Sequence, residues 1–145
     1  MSPNSFKILI SGRFDPAVLH ALSQEHTVTF RDLSPQQSSL NTGVLESALL
    51  DNQVLITEGD QVTATLLESH PDLALIISTR GNPVNIDIPA ATRQQVAVMN
   101  TPGRNAVAVA ELAIGSMIMI ARKVFPAVEV LRSNGWVTMG STQLF

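Results

Sequence analysis

The sequence predicts an α/β fold in which a doubly wound parallel sheet of about five strands is followed by a long helix. Five short apolar runs alternate with helical patterns along the chain, an order typical of parallel sheets with crossover helices. The 145 residues are enough for one domain with a substantial core. The run at 73–78 is almost wholly apolar, which is typical of a central strand covered on both faces. An α+β domain is the alternative.

Each strand is predicted from a short run of apolar and β-branched residues. Gly12 and Gly59 follow the first and third runs closely and mark their ends. A polar stretch at 34–41 separates the second strand from the next helix and is predicted to be a loop. The predicted strands are 7–11, 27–30, 53–57, 73–78 and 96–99.

The first two helices are predicted from their capping residues. Asp15 is a candidate N-cap, and Pro16 suits the first helical position of a helix that ends near Glu25. Thr42 is predicted to cap a second helix that continues through Leu50.

The next two helices are shorter. One starts at Asp60 or at Thr63 and ends before His70, because the following proline disfavours helical backbone at the residue before it. The other covers 89–95, with Asp87 near its N-terminus.

The last predicted helix is the longest. Asn105 is a candidate N-cap, and the helix extends to about Arg132, with a kink or a break at Pro126. Between 107 and 120 it is apolar nearly all round, which is typical of a buried helix. Glu111 interrupts the apolar run, which is also shorter than the roughly 20 residues of a membrane span. A lone carboxylate in such a helix is expected to have a partner.

Composition narrows the classes of function. Hydrophobic residues make up 45% of the chain and charged residues 14%, whereas about 25% charged is usual. We therefore expect either a large core or an apolar surface for another domain or subunit. The net charge of −3 argues against a nucleic-acid partner. The absence of cysteine excludes disulfides and thiolate chemistry.

Other motifs are absent from the sequence. There is no G-x-G, no Walker pattern and no G-x-S-x-G elbow. The three histidines, His20, His26 and His70, lack metal-ligand spacing and are interpreted as surface or packing residues. No signal-peptide layout is present at the N-terminus, and a cytoplasmic location is predicted.

Two turns could bind an anion. Residues 79–85 follow the fourth predicted strand, where Gly81 permits close approach of a ligand and Arg80 supplies a positive charge, although Pro83 removes one donor. The helix start at Asn105 presents unpaired N–H groups. Each could also be an ordinary turn or cap. Both follow strand ends, where open α/β sheets bind ligands, so together they predict a crevice.

The residues between Arg80 and Glu111 resemble the D-isomer-specific 2-hydroxyacid dehydrogenases. That family has an R-G-G-P-V-N-V-D type of turn after one strand and an N-T-P-G-x-N-x-x-A-V-A-E start to a later helix. The two motifs occur here in the family's order and spacing. The matching residues are Arg80, Gly81, Pro83, Val84, Asn85, Asp87, Asn100, Thr101, Pro102, Gly103, Asn105, Ala108, Val109, Ala110 and Glu111.

The resemblance implies roles for particular residues. The turn of Arg80, Gly81 and Asn82 would hold the substrate carboxylate. Asn105 and Val109 would face the nicotinamide side of NAD or NADP. Two departures from the family pattern stand out, because Asn82 replaces the usual second glycine and Glu58-Gly59 lacks a basic or polar residue that some members carry.

The resemblance also implies a domain organisation. Residues 1–104 would form a flavodoxin-like catalytic domain, 105–134 an interdomain helix, and 135–145 a tail leading toward an NAD-binding domain that is absent from this chain. The family's catalytic arginine, its acidic partner, its acid/base histidine and its NAD fingerprint all lie in later segments. We therefore predict no catalytic and no metal-binding residue here.

The predicted function is that of a partial NAD-dependent oxidoreductase acting on the CH–OH group of D-2-hydroxy acids. The chain would supply the carboxylate clamp and a wall of the cleft, and would be inactive by itself. Its expected partners are a small 2-hydroxy or 2-oxo acid and, through 105–134, a Rossmann domain or a second copy. The alternative is a non-catalytic small-anion-binding or regulatory module.

Overall fold

The sheet has five parallel strands in the order β2-β1-β3-β4-β5 in the computed structural model of the chain. This is the flavodoxin-like order, and the predicted fold class is confirmed. The strands are β1 (Lys7–Ser11), β2 (Thr27–Arg31), β3 (Val54–Thr57), β4 (Leu75–Ser78) and β5 (Ala97–Asn100).

The structure describes residues 5–33, 37 and 39–134 of the chain. They fall into two compact units that divide between Pro102 and Gly103, near the predicted division at 104/105. The first unit holds the sheet and the second holds the last two helices. The predicted tail at 135–145 lies outside the described residues, as do residues 34–36 and 38 of the predicted 34–41 loop.

The middle strand of the sheet is β3, and β4, which was predicted to be central and covered on both faces, lies between β3 and β5. All four residues of β3 are buried, whereas Leu75 and Ile77 of β4 are only half-buried. The prediction that β4 lies inside the sheet is confirmed, but the prediction that both of its faces are covered is wrong, because the face with Leu75 and Ile77 is only partly covered. Apolar character alone does not distinguish two interior strands.

Four helices connect the strands, and three of them are capped by a side chain. The caps are Asp15, whose carboxylate accepts from Ala17 N at 2.7 Å, Thr63, whose hydroxyl accepts from Leu66 N at 3.3 Å, and Asp87, whose carboxylate accepts from Ala90 N at 2.9 Å. Thr63, rather than Asp60, therefore starts the third helix. The helices are α1 (Pro16–Glu25), α2 (Thr42–Leu49), α3 (Ala64–Ser69) and α4 (Ile88–Arg93).

Helix α2 starts one residue earlier than predicted. Asn41 is its N-cap and Thr42 is its first helical residue. The Asn41 carbonyl accepts from Val44 N at 3.0 Å and Leu45 N at 2.9 Å, which closes the first turn before Thr42 can serve as the cap. The Asn41 side chain makes no cap hydrogen bond.

The core occupies both faces of the sheet. Leu9, Leu55 and Ile76 are fully buried, pair in register, and belong to a cluster with Leu45 and Leu66 of the helices. The opposite face carries a smaller cluster, in which buried residues of β1 and β3 contact half-buried side chains of α1. These residues are Ile8, Ile10, Val54, Ile56, Leu19 and Leu22.

The predicted helix from Asn105 to about Arg132 is divided into α5 (Ala106–Ala121) and α6 (Val124–Asn134). The break lies at Lys123, whose φ is 50°, and not at Pro126. Pro126 instead lies in the first turn of α6, where its missing N–H costs no helical hydrogen bond. A continuous helix would bring the proline ring against the carbonyl of Arg122, so the chain breaks before it.

Helix α5, predicted to be buried, is exposed within this chain, so its apolar residues do not belong to the core of the chain. None of its residues is buried, and Val107, Leu112 and Ile120 are 72%, 69% and 71% exposed. Glu111 is exposed as well, and its pairing with a partner stays a prediction. Among the helices of the described residues, none has the length and apolar character to cross a membrane.

The two kinds of cap predict different effects on stability. Asp87→Ala is expected to lower the free energy of unfolding by about 1 kcal/mol, because Ala90 N loses its acceptor. Asn41→Ala, the matched control, removes a cap side chain that makes no hydrogen bond and should cost less than half as much. Urea denaturation followed by circular dichroism measures both, and equal losses would contradict the assignment.

Candidate functional site

A row of polar side chains ends the strands at the carboxyl edge of the sheet. Ser11, Thr57, Ser78 and Asn100 pair successively in register as the last residues of β1, β3, β4 and β5. Ser11, Thr57 and Ser78 are buried. In this strand order β2 lies on one side of β1 and β3 lies on the other, so the connections leave β1 and β3 in opposite directions across the sheet. Ligands of open α/β sheets bind outside the carboxyl ends of the strands near such a point. The candidate site therefore lies along this edge.

The loop at 79–85, which we call the anion loop, leaves β4 at this edge. The Arg80 carbonyl accepts from Thr101 N at 3.1 Å, and the Gly81 carbonyl accepts from Asn100 Nδ2 at 2.7 Å. Both carbonyls therefore point toward the end of β5. In a trans peptide the N–H of the next residue points the opposite way, so the N–H groups of Gly81 and Asn82 point away from β5.

These two N–H groups are available to a ligand. Within the part of the chain that the structure describes, neither one donates to a backbone carbonyl. Arg80, Gly81 and Asn82 are all exposed. Successive N–H groups beside an arginine suit a carboxylate, which can accept from both donors and pair with the guanidinium. Two adjacent N–H donors and a guanidinium thus lie together at residues 80–82, and Pro83, one residue later, removes neither donor.

Two buried residues that the sequence did not predict as site residues support the anion loop. Asp60 is fully buried and Asn85 is 6% exposed. Asn85 Nδ2 donates to the Asp60 carbonyl at 2.6 Å, and the Asp60 carboxyl group accepts from Thr57 Oγ1 at 2.7 Å. Asp60 was considered only as a helix start and Asn85 only as a motif match. The spacing of Thr57 and Asp60 directly after a strand was the available signal.

Three buried side-chain atoms have no hydrogen-bond partner among the described residues, and all lie at the carboxyl edge. They are Ser11 Oγ, Asn85 Oδ1 and Thr101 Oγ1. Buried polar groups are normally satisfied by protein, water or a ligand. The unpaired buried atoms of the described residues are therefore gathered at the carboxyl edge of the sheet.

The predicted cofactor-facing residues lie in the second unit. Asn105 is the N-cap of α5, and its side chain makes no cap hydrogen bond. Val109 is 54% exposed, and its N–H donates to the Asn105 carbonyl at 2.9 Å. The two residues are thus neighbours on one turn. The structure brings them together with each other, and it brings Arg80, Gly81 and Asn82 together in the first unit.

The histidines have structural roles or lie at the surface. His70 contacts the Leu66 carbonyl through Nδ1 at 2.8 Å and the Glu46 carbonyl through Nε2 at 3.1 Å. His26 packs against Phe6 with ring centroids 5.6 Å apart, and His20 is exposed. In the described ranges no group of three or more His, Cys, Asp or Glu residues could hold a metal ion.

Known proteins resemble the chain in sequence and in structure. The sequence model of the family described as D-isomer specific 2-hydroxyacid dehydrogenase, catalytic domain, matches residues 8–143. The Bacillus subtilis protein YoaD, assigned to the 2-hydroxyacid dehydrogenases, is 43% identical over 82 residues, covering 57% of this chain and 24% of that protein. D-3-phosphoglycerate dehydrogenase of Rattus norvegicus is 31% identical over 136 residues, covering 92% and 24%.

A solved structure agrees with these matches. A protein from Polaromonas sp., described as a D-isomer specific 2-hydroxyacid dehydrogenase, NAD-binding, superposes with a TM-score of 0.80 at 25% identity. The match covers 97% of this chain and 44% of that chain. The chain therefore spans about a quarter of the curated relatives named here and less than half of this solved structure. The predicted resemblance is confirmed.

Proposed function

This chain belongs to the family of D-isomer-specific 2-hydroxyacid dehydrogenases, and we propose that it supplies the substrate-carboxylate clamp and a cleft wall of such an oxidoreductase. The anion loop carries the proposal. Its two N–H groups point away from β5 because the Arg80 and Gly81 carbonyls are held by Thr101 and Asn100. A 2-hydroxy or 2-oxo acid would place its carboxylate on these donors, with the Arg80 guanidinium as the counter-charge.

The proposed cofactor is NAD or NADP. The Polaromonas relative is described as NAD-binding, and the resemblance gives Asn105 and Val109 to the nicotinamide side. Both residues suit that role, because Asn105 has no cap hydrogen bond and Val109 offers an exposed apolar surface. When bound, the cofactor supplies or accepts the hydride. The residues of this chain bind and orient the acid.

We propose no proton-transfer residue on this chain. The histidines contact backbone carbonyls, pack on a phenylalanine or lie exposed, and the family's acid/base histidine belongs to later segments. The isolated chain is therefore expected to bind a 2-hydroxy acid without oxidising it. The exposed apolar surface of α5 would pack against an NAD-binding domain or a second copy of the chain.

Substitution of Arg80 tests the clamp. Arg80→Gln is expected to weaken binding of D-glycerate by at least about tenfold, because a charge-assisted hydrogen bond contributes about 1.5–3 kcal/mol. Two-dimensional NMR titration of the full 145-residue chain, followed at the amides of Gly81 and Asn82, measures the affinity and locates the ligand.

The matched control is Arg93→Gln. Arg93 is also an exposed arginine, but it lies in the last turn of α4. Its substitution should leave the affinity within about twofold. If D-glycerate perturbs neither amide of the anion loop, or if both variants bind equally well, the clamp is excluded.

The second candidate function is a non-catalytic small-anion-binding module. It is favoured by the completeness of the anion loop within the first unit, where both of its ends are hydrogen-bonded. Thermal unfolding distinguishes the two functions. The chain is mixed with a separately prepared NAD-binding domain of a relative. If D-glycerate then raises the unfolding temperature of the chain and NAD does not, the result would support the module. Formation of a complex that turns over NAD would exclude it.

A further inference from the structure

The far end of the anion loop is fastened to the loop that follows β3. Asn85 Nδ2 donates to the Asp60 carbonyl at 2.6 Å, and Val62 N donates to the Asn85 carbonyl at 2.9 Å. Asp87 N then donates to the Val62 carbonyl at 2.9 Å. These bonds join 60–62 to 85–87 and include a parallel bridge between Val62 and Ile86. A displacement of Asn85 would therefore break several bonds at once.

Asp60 is itself immobilised at the end of the sheet. Its carboxyl group accepts from Thr57 Oγ1 at 2.7 Å and from Leu40 N at 2.6 Å, and its N–H donates to Thr57 Oγ1 at 3.1 Å. Thr57 also accepts through its carbonyl from Thr79 N at 2.9 Å, at the start of the anion loop. The same strand end thus holds both ends of that loop.

We propose that Asn85, held by Asp60, is a positioning residue for the N–H donors of Gly81 and Asn82. The inference rests on the proposed function of the anion loop as a carboxylate clamp. Asn100 fixes the near end of the loop and Asn85 fixes the far end, so the two donors lie in a segment with little freedom. Binding to a preorganised segment avoids the entropy cost of ordering it.

Asn85→Ala tests the inference, with Asn52→Ala as the matched control. Asn52 is also buried, at 7% exposure, and its Nδ2 donates to the Ala48 and Leu50 carbonyls at 2.9 and 3.1 Å. It precedes β3, at the opposite edge of the sheet. Both variants lose side-chain hydrogen bonds to backbone carbonyls, but only Asn85→Ala loses one that holds an end of the anion loop.

The first measurement is ¹⁵N relaxation of the full chain without ligand. In Asn85→Ala the order parameters of the Gly81 and Asn82 amides should fall measurably below the value of about 0.85 for rigid backbone, while Asn52→Ala leaves them unchanged. The second measurement is the NMR titration with D-glycerate, in which Asn85→Ala should weaken binding about tenfold and Asn52→Ala less than twofold. Thr57→Val, which removes the hydroxyl that contacts Asp60, provides a milder variant should Asn85→Ala not fold, and should loosen the same amides.

The outcomes separate the two proposals. Unchanged order parameters in Asn85→Ala, or in Thr57→Val if that variant is needed, would overturn the positioning role, and so would equal loosening in Asn52→Ala. A wild-type chain that does not bind D-glycerate at the anion loop would overturn the clamp. The relaxation result would in that case still decide whether Asn85 orders the loop.

Discussion

Asp60→Ala is expected to lower the free energy of unfolding by about 3 kcal/mol. The substitution leaves Thr57 Oγ1 and Leu40 N without their acceptor. Each buried or part-buried group left unpaired costs about 1–3 kcal/mol, and the relief of burying a carboxyl group offsets only part of the sum. Asp60 is fully buried, so water cannot easily replace the lost bonds. Urea denaturation of wild type and variant measures the difference.

Two further variants show whether the hydrogen bonds are responsible. Asp60→Asn keeps one acceptor oxygen and replaces the other with a donor, so it should lose about half as much as alanine. Asp72→Ala removes an exposed aspartate and should stay within about 0.5 kcal/mol of wild type. A loss below about 1 kcal/mol for Asp60→Ala would mean that the carboxyl group contributes little to the fold.

The strands could be predicted because their signal is local. Each predicted run agrees with an observed strand to within one or two residues at each end, as for β1 at Lys7–Ser11 and β5 at Ala97–Asn100. The order of the strands is not a local property. Nor is the cover of a strand: the prediction that both faces of β4 are covered failed, because cover depends on contacts between residues distant in sequence.

In the candidate site, too, the residues that are close in sequence could be predicted and those joined by distant contacts could not. Arg80, Gly81 and Asn82 were predicted because they are consecutive and follow a strand directly. Asp60 and Asn85 were not, because their hydrogen bond joins residues 25 apart in sequence and Asp60 contacts Leu40 across another 20. The sequence around Asp60 predicts only a capping residue. Its buried position becomes visible only when the ends of β3 and β4 are side by side.

The position of the break between α5 and α6 could be predicted only approximately from the proline. Proline inside a helix was expected to interrupt it at Pro126, but a helix can avoid the clash by stopping one turn earlier and starting again. Lys123 takes the positive φ that this requires. The rule predicted an interruption correctly and gave its position wrongly, because proline is well tolerated in a first turn.

Replacing three apolar residues of α5 is expected to change the association state of the chain. Leu112, Met117 and Ile120 are 69%, 67% and 71% exposed, and α5 has no buried residue. Fully burying one such side chain contributes about 1.5–3 kcal/mol, so a surface of this kind should associate with another apolar surface. We expect the wild-type chain to form dimers or larger assemblies through α5. The combined variant Leu112→Gln, Met117→Gln and Ile120→Gln should weaken association by at least about 100-fold.

Sedimentation velocity over a range of concentrations, together with binding of a hydrophobic dye, measures this effect. The matched control is the combined variant Val18→Gln, Val44→Gln and Leu50→Gln, which removes three residues of the first unit that are 48%, 45% and 64% exposed. Because Val18 lies in α1, Val44 in the first turn of α2 and Leu50 directly after α2, they do not share one helix surface, and association should persist. A wild-type chain that stays monomeric at high concentration with little dye binding would show that α5 does not drive association. If both variants lose association equally, association depends on general surface hydrophobicity and not on α5. A role for the α5 surface predicts that only the α5 variant loses association.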